Sequence, residues 1–330
     1  MTISVIVPVH GGIKNLKLCL EALQASDVPF LEIIVVSDGN SRGALFFVEQ
    51  QYGARVIEIP SPAKGPAFAR NEGAAAARGD ILLFVDADVV LPPGAARIIL
   101  EAFQHEPDIA ALFGSYDDQP AEQNFLSQYK NLFNHFVHQT ADEQTHIFWA
   151  GCGALRRDVF RDIGGFDIRY RRPTVEDIEM GQRLKKKGHK IRLVKALQVK
   201  HLKRWSAAGL IRSDFFNRAL PWSTLILEDG DLINDLNLKV SQRLSAVLCV
   251  LLLVSLFTIK ATASAVYLVG ALGISLVLIN WKLYHFFVSK RGVVFTLKVV
   301  FWHWLYYLYS TLAFGIAWCK HTLKRTFRRP

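Results

Sequence analysis

The last 90 residues of this 330-residue chain contain no aspartate and no glutamate. Of the 39 Lys/Arg, 11 lie there, so positions 1–240 keep 28 basic against 29 acidic residues, and the formal charge of +10 belongs to the acid-free tail. A nucleic-acid binder carries its basic excess on a folded recognition surface; the first 240 residues have no such excess, which excludes nucleic acid as the partner. Cysteine is sparse. Cys19, Cys152, Cys249 and Cys319 are far apart and form no CxxC pair, so neither a disulfide framework nor a structural zinc site is expected. There is no GxxxxGKS/T loop, and the one GxG, Gly151-Cys152-Gly153, has Arg156 where a third glycine would stand and does not follow the first strand. Kinase, P-loop and dinucleotide-binding readings fall with that. The opening Met1-Thr2-Ile3-Ser4-Val5 has no basic stretch and no small-residue cleavage site, so no signal peptide is expected and positions 1–240 are expected to stay cytoplasmic. With 51% hydrophobic residues against 21% charged, disorder is excluded as well.

The acid-free tail also holds the long apolar runs. Positions 244–280 carry one charge, Lys260, and 293–318 carry only Lys298, whereas a helix needs about 20 apolar residues to cross a bilayer. The first run fits two short crossing helices folded back around 260–262, with Trp281, Tyr284, Phe286 and Phe287 suited to the lipid–water interface. A buried helical core would need acidic residues on its outer faces. Three crossings would put the tail 320–329, with five Lys/Arg, opposite the first domain and against the positive-inside rule; the alternative is a third run that lies in the interface or re-enters. The expected organisation is a catalytic domain over 1–220, an interfacial linker over 221–242, and a membrane region over 243–330 with two or three helices and a basic tail. Within it, 205–227 reads as an amphipathic connection.

Along positions 1–115, β-branched apolar runs at 3–9, 32–36, 55–59, 81–85 and 109–113 alternate with helical patterns at 15–25, 44–52, 67–77 and 94–103. That is the rhythm of a mainly parallel sheet with helices on both faces. Such sheets bind ligands beyond the carboxyl ends of their strands, which directs attention to Pro8-Val9-His10, Ser37-Asp38-Gly39-Asn40 and Asp86-Ala87-Asp88.

Asp86 and Asp88 are two apart at a strand end, where a period of two points both carboxylates the same way. Paired hard oxygens suit Mg²⁺ or Mn²⁺, which would neutralise a diphosphate leaving group. Asp38 follows a strand and would accept hydrogen bonds from a base or ribose; the Asp-Gly pair also predicts a turn. Lys64, Arg70 and Asn71 lead from a Pro-rich loop into an alanine-rich helix, whose cations would face phosphates or stand on the surface. Thr174 and Asp177 have the spacing of a helix N-cap and its partner, and a carboxylate there would also serve as a general base. His201, after the strand-like run 191–199, is read as a third metal ligand, a phosphate contact or a structural histidine.

Taken in order, these segments resemble family 2 glycosyltransferases. The features are Ile6-Val7-Pro8, the segment Val35-Val36-Ser37-Asp38-Gly39-Asn40 in the place of V-D-D-G-S, Gly65 with Ala69-Arg70-Asn71, and Asp86-Ala87-Asp88. They continue with Gly151-Cys152-Gly153-Ala154-Leu155, Gly164-Gly165-Phe166-Asp167 and Glu176-Asp177. The resemblance implies an α/β fold, the GT-A Rossmann-like mixed sheet with helices on both faces, followed here by an α-helical membrane region. It implies an inverting hexosyl transfer from a nucleotide-sugar donor, a UDP-sugar in first place and a GDP-sugar as the alternative, in one displacement. Pro8, Val9, Asp38, Lys64, Arg70, Asn71 and Asp86 would then meet the donor. Asp88 would bind the Mg²⁺ or Mn²⁺ with Asp86 assisting, and with His201 as a further candidate ligand. Asp177 would be the catalytic base beside Glu176, and Trp149, Gly151, Cys152, Gly153, Arg204 and Trp205 would border the acceptor.

Two departures qualify the match. Ser37 stands where the family has the first aspartate of a pair, and His201-Leu202-Lys203-Arg204-Trp205 has histidine where processive synthases have the glutamine of Q-x-x-R-W. The second favours transfer of a single sugar. The basic stretch from Lys195 to Arg204, with Arg212, suits an anionic lipid surface. A lipid acceptor such as polyprenyl phosphate is therefore expected, at the membrane, in lipid glycosylation of the cell envelope, with a saccharide or glycolipid acceptor as the alternative. Two other classes compete: a nucleotidyltransferase, disfavoured by the lack of a Gly-rich basic first loop, and a catalytically silent membrane scaffold, supported by Ser37 alone.

Overall fold

The structure is a computed structural model that describes residues 1–11, 13–40, 45–230, 235–258 and 264–327. The expected hairpin turn at 260–262, Ala44 and the last two arginines of the tail lie outside the described residues. Contacts divide the chain into two compact units, Met1–Arg204 and Trp205–Pro330.

In the first unit, strands and helices alternate from the start: β1 (Ile3–Val9), α1 (Ile13–Gln24), β2 (Glu32–Asp38), α2 (Phe46–Tyr52), β3 (Arg55–Ile59), α3 (Pro66–Ala76), β4 (Ile81–Val85), β5 (Val89–Val90) and α4 (Ala95–His105). There follow β6 (Ile109–Tyr116), α5 (Phe125–Thr140), β7 (Gln144–Thr145), β8 (Cys152–Arg156), α6 (Arg157–Asp162), α7 (Glu176–Lys186) and β9 (Lys190–His201). β4 and β6 are buried along their whole length because helices cover both faces, which is why they read as unbroken apolar runs. α1 buries Leu16, Cys19, Leu20 and Leu23, one helical stripe against the sheet.

The nine strands run in the order β3-β2-β1-β4-β8-β6-β9-β5, with β7 beside β9. β1 to β4 pair in parallel, β8 lies antiparallel between β4 and β6, and β9 returns parallel to β6. Consequently the carboxyl ends of β1, β2 and β4 share one edge of the sheet with the start of β8, where Val85 faces Cys152. Two strands run further than the sequence suggests. β2 reaches Asp38 because Ser37 and Asp38 still pair with Glu58 and Ile59, and β6 reaches Tyr116 because Ser115 and Tyr116 pair with Gln198 and Val199.

The second unit is helical: α8 (Ala207–Arg212), a π-helical turn (Ser213–Ala219), α9 (Leu220–Asp229), α10 (Val240–Thr258), α11 (Ser264–Ile279) and α12 (Trp281–Phe327), broken at Gly292. Ser206 caps α8 by accepting a hydrogen bond from Gly209 N–H. Most of the expected linker over 221–242 is thus helix. Among the described residues, Val240–Phe257 is long and apolar enough to cross a bilayer, and Ala265–Ile279 with Trp281–Thr326, bent by 70°, passes only as a pair. Phe257 and Tyr267 are fully outward-facing. Tyr284 and Phe287, expected at a lipid interface, are instead buried. The reason is hydrogen bonding and ring packing: Tyr284 Oη meets His303 Nδ1 at 3.1 Å and accepts from Trp304 Nε1 at 3.2 Å, while Phe287 stacks on Phe295. Asn280 joins the helices by donating to Ser245, and its Oδ1 shares the single Tyr307 hydroxyl proton with Gln242 Oε1, the two oxygens standing 2.9 and 2.8 Å from Tyr307 Oη.

Candidate active site

A cavity of about 420 Å³ opens at the shared strand edge, lined by Pro8, Val9, Asp38, Arg70, Asp86 and Asp88 among others. It draws residues from the carboxyl ends of β1 and β2 and from the segments after β1 and β4. The sequence therefore located its floor, although the local reason differs in places.

Asp38 is 4% exposed, and both of its oxygens are engaged: Oδ1 accepts from Lys64 N–H at 2.8 Å and Oδ2 from Gly65 N–H at 2.7 Å. It is the end of β2 and the anchor of the loop before α3. Gly39 follows at φ 71, so the turn reading and the pocket-lining position hold together. Ser37 Oγ accepts from Asn40 Nδ2, which also donates to Val9 C=O, and Asn40 Oδ1 accepts from Gly11 N–H. The serine in the family's aspartate position thus braces the loop after β1. His10 Nδ1 lies 2.6 Å from Asp38 C=O, an acceptor only, so Nδ1 carries the proton.

Asp86 and Asp88 do not continue a strand. β4 ends at Val85, and Asp86-Ala87-Asp88 forms a turn closed by Val89 N–H on Asp86 C=O at 2.9 Å, so the period of two does not apply. The two carboxylates take different partners. Asp86 Oδ1 accepts from Arg70 Nη2 at 2.8 Å, while Asp88 Oδ1 lies 3.6 Å from His201 Nε2. Pairing of Val89 with His201 and a bond from Leu202 N–H to Asp88 C=O at 2.8 Å hold the end of β9 against this turn.

Arg70 is neither a surface charge nor an exposed phosphate ligand. It is 5% exposed and bridges Asp86 and Glu176 Oε1, the latter at 2.9 Å. Burial works against its charge, but Asp86 and Glu176 outweigh that and push its pKa further up. Glu176 Oε2 accepts from Thr174 N–H, so Thr174 caps nothing and the N-cap position falls to Val175 without a side-chain bond. Asp177, 8% exposed, accepts from Ala150 N–H at 3.2 Å through Oδ2 and from Ile178 N–H at 2.9 Å through Oδ1. It stands at the start of α7, beside the Arg70 bridge, and is not among the cavity-lining residues.

Other expected contacts are placed elsewhere. Lys64 extends its ammonium over the Phe68 ring at 4.3 Å, and the Asn71 amide spans Phe166 N–H and C=O. Cys152 and Gly153 are buried in β8, paired with Val85 and Phe84, and do not line the cavity. A Cβ on Gly151 would stand 2.5 Å from the Trp149 indole, which itself stacks on Tyr116 at 4.6 Å; the glycines there admit aromatic packing. Burial pushes the Cys152 thiol up to about 12 and Cys19 further, so neither supplies a thiolate. Arg204 is exposed and pairs with Glu122 at 3.0 Å, and Trp205 begins the second unit.

His10, at the ligand edge as expected, lines the cavity; Arg171, Arg172 and Lys203, to which the sequence reading gave no site role, line it too. The cluster Arg169-Tyr170-Arg171-Arg172 just before Glu176 was the available signal. For a divalent ion the donor set is small: among the described residues no group of three His, Cys, Asp or Glu could hold one. One carboxylate with an imidazole opposite nonetheless fits Mg²⁺ or Mn²⁺ of the type whose other ligands are substrate phosphates and water.

Comparison with known proteins fixes the class. Residues 4–164 match the sequence model described as Glycosyl transferase family 2, and residues 133–205 match that of the N-terminal domain of galactosyltransferase. Within the unit Met1–Arg204, residues 4–164 carry a glycosyltransferase family 2 domain, and the unit has the GT-A fold. Pre-mycofactocin glycosyltransferase of Mycobacterium tuberculosis is 27% identical over 207 residues, which are 60% of this chain and 42% of that protein. An uncharacterized glycosyltransferase of Haemophilus influenzae is 26% identical over 189 residues, 54% of this chain and 60% of its own. This chain therefore spans roughly half the length of such relatives. Among solved structures, the mannosyltransferase PcManGT of Pyrobaculum calidifontis with GDP-Man and Mn²⁺ aligns over 94% of this chain and 86% of its own, at TM-score 0.56 and 14% identity. S. aureus TarS 1–349 with UDP-GlcNAc aligns over 69% and 66%, at TM-score 0.51 and 20% identity.

Proposed function

We propose that the protein is an inverting glycosyltransferase that moves one sugar from a nucleotide-sugar, a UDP-sugar in first place, to a membrane-held lipid acceptor such as polyprenyl phosphate. The observation that supports this reading best is the Arg70 bridge, which ties the pocket carboxylate Asp86 to Glu176 and so to its neighbour Asp177. The bridge fixes Asp86 relative to the start of α7, which supports a donor carboxylate and a base held in the relation a single displacement needs.

In this mechanism Pro8, Val9 and Asp38 receive the nucleoside, and His10 closes that end of the cavity. Asp177 takes the proton from the acceptor hydroxyl or phosphate as its oxygen attacks the anomeric carbon. For that, the Ala150 N–H bond lengthens or is shared, since a base needs hydrogen-bond reach in the bound state. Glu176 and Arg70 keep the base-bearing helix end in place. Mg²⁺ or Mn²⁺, held by Asp88 with Asp86 and His201 at hand, would offset the charge of the leaving diphosphate. The lipid acceptor is supported by the apolar helix Val240–Phe257 and by outward-facing apolar residues in the second unit.

The test incubates detergent-purified protein with UDP-, GDP- and dTDP-sugars, Mg²⁺ or Mn²⁺, and polyprenyl phosphate or a total lipid extract, with products read by mass spectrometry. A polyprenyl-phosphate sugar lost with EDTA or with Asp88→Ala is the expected result. Product on soluble saccharides alone overturns the lipid assignment, and pyrophosphate release in a parallel incubation with nucleoside triphosphates and a sugar 1-phosphate overturns the glycosyl-transfer mechanism.

A further inference from the structure

Arg171 and Arg172 are adjacent, exposed, and both line the cavity, yet neither guanidinium makes a salt bridge or hydrogen bond among the described residues. Other arginines of the same unit are spent on protein oxygens: Arg70 on Asp86 and Glu176, Arg183 on Glu179 and two carbonyls, Arg192 on Glu106 and Glu143. Two neighbouring cations kept without a protein counter-charge on the wall of a cavity are a site for an anion from outside.

Their backbone is held in place. Gly65 has φ 100, and a Cβ there would stand 2.5 Å from Arg171 C=O, so the loop before α3 lies directly on the arginine segment. That loop is in turn fixed by the two Asp38 hydrogen bonds. A third cation, Lys203, reaches the same cavity from the end of β9, whose Leu202 N–H is bonded to the Asp88 turn. The carboxylates Asp38, Asp86 and Asp88 and the three cations line the same cavity. Arg70 does not supply that charge, because its guanidinium is neutralised by two carboxylates.

We infer that Arg171 and Arg172, with Lys203, bind the diphosphate of the donor and stabilise it as the leaving group. This rests on the nucleotide-sugar reading given above. The bond that breaks is the one from the anomeric carbon to the diphosphate oxygen; its electron pair stays on the nucleoside diphosphate, and the cations face that added negative charge.

The experiment measures binding of UDP, UMP and uridine (and the guanosine series) to the full chain in detergent by calorimetry, with Mn²⁺ present. Arg171→Gln with Arg172→Gln is expected to weaken the nucleoside diphosphate at least tenfold and to leave the nucleoside within twofold. Arg171→Lys with Arg172→Lys is expected to recover most of the loss, and the exposed Arg161→Gln, which also removes one positive charge, to change nothing. Unaltered diphosphate affinity in the double glutamine variant overturns the inference, as does an equal loss for diphosphate and nucleoside. So does an effect confined to the KM of a phosphate-bearing acceptor, which would move the cations to that substrate. If wild-type protein binds no nucleoside diphosphate at all, it is the proposed function that falls.

Discussion

A guanidinium between two carboxylates is a stable arrangement only while all three charges are present. Replacing Arg70 by Met leaves Glu176 buried without a counter-charge, a loss of about 3–5 kcal/mol, seen as a lower denaturation midpoint; Arg70→Lys keeps one of the two contacts and falls in between. The isosteric Asp177→Asn is expected to lower kcat by about 10²–10⁴-fold with nucleotide affinity and Tm unchanged, and equal kcat in the two proteins removes the base assignment. At this scale the sequence was informative where chemistry is local. Asp38, Asp86 and Asp88 could be placed at the ligand edge because each directly follows an apolar run. Burial of Arg70 could not, because its partner Glu176 is 106 residues away and only the folded sheet brings them together. The arginine pair at 171–172 escaped for the same reason: its local cluster of basic residues does not reveal that it lines the same cavity as Asp38 and Asp88, more than 80 residues away in the chain.

Elements were legible where periodicity repeats and less so where backbone bonds decide the ends. The expected strand at 32–36 stops short of Ser37 and Asp38, polar residues that remain in β2 because β3 pairs with them. The strand end at 85 is as expected, but the period of two expected for Asp86 and Asp88 does not hold, because these residues form a turn closed by Val89 N–H on Asp86 C=O. The loop before α3 depends on a glycine that no side-chain-bearing residue replaces without strain. Gly65→Ala is expected to cost about 1–3 kcal/mol and to weaken nucleotide binding together with stability, measurable by titration and thermal melting of one preparation. The pairing of β1 with β2 carries a pH signature. Burial works to raise the Glu32 carboxyl, but the Ser4 hydroxyl and the Arg78 N–H and guanidinium outweigh it and hold its pKa below the ordinary value. A depressed carboxyl contributes stability above its unfolded pKa, about 4.3, and loses it as pH falls through the folded value. Melting temperature is therefore expected to drop in that acid range, and Glu32→Gln, less stable at pH 7, is expected to drop less steeply there.

On the scale of the whole molecule, composition alone separated an acid-free, apolar tail from a charge-balanced catalytic part. The contacts divide the chain at Arg204. Polar residues inside the second unit were not readable as a network, since Gln242 and Ser245 come from α10, Tyr307 from α12 and Asn280 from the turn between α11 and α12. Cys319 is the exposed cysteine, while Cys19, Cys152 and Cys249 are buried. Maleimide is accordingly expected to label native protein once and unfolded protein four times. In sealed vesicles the label is expected from the cytoplasmic side, because the basic residues that follow Cys319 favour that face; labelling from the opposite side would instead support three crossings.

The Arg70–Glu176 pair also has a meaning for synthesis. At roughly 5–20 residues per second, a ribosome needs roughly 5–20 s to travel the 106 residues between its members. During that interval the nascent chain has β1 to β4 available but lacks the second carboxylate for a guanidinium that the finished sheet buries. The emerging domain is therefore expected to stay incompletely packed until α7 has left the exit tunnel, which ribosome-bound chains truncated before and after α7 would show as a difference in protease resistance. A stalled, shortened product also lacks both Arg70's second partner and Asp177, so under the proposed mechanism a half-made chain that bound a nucleotide-sugar would have no base with which to waste it.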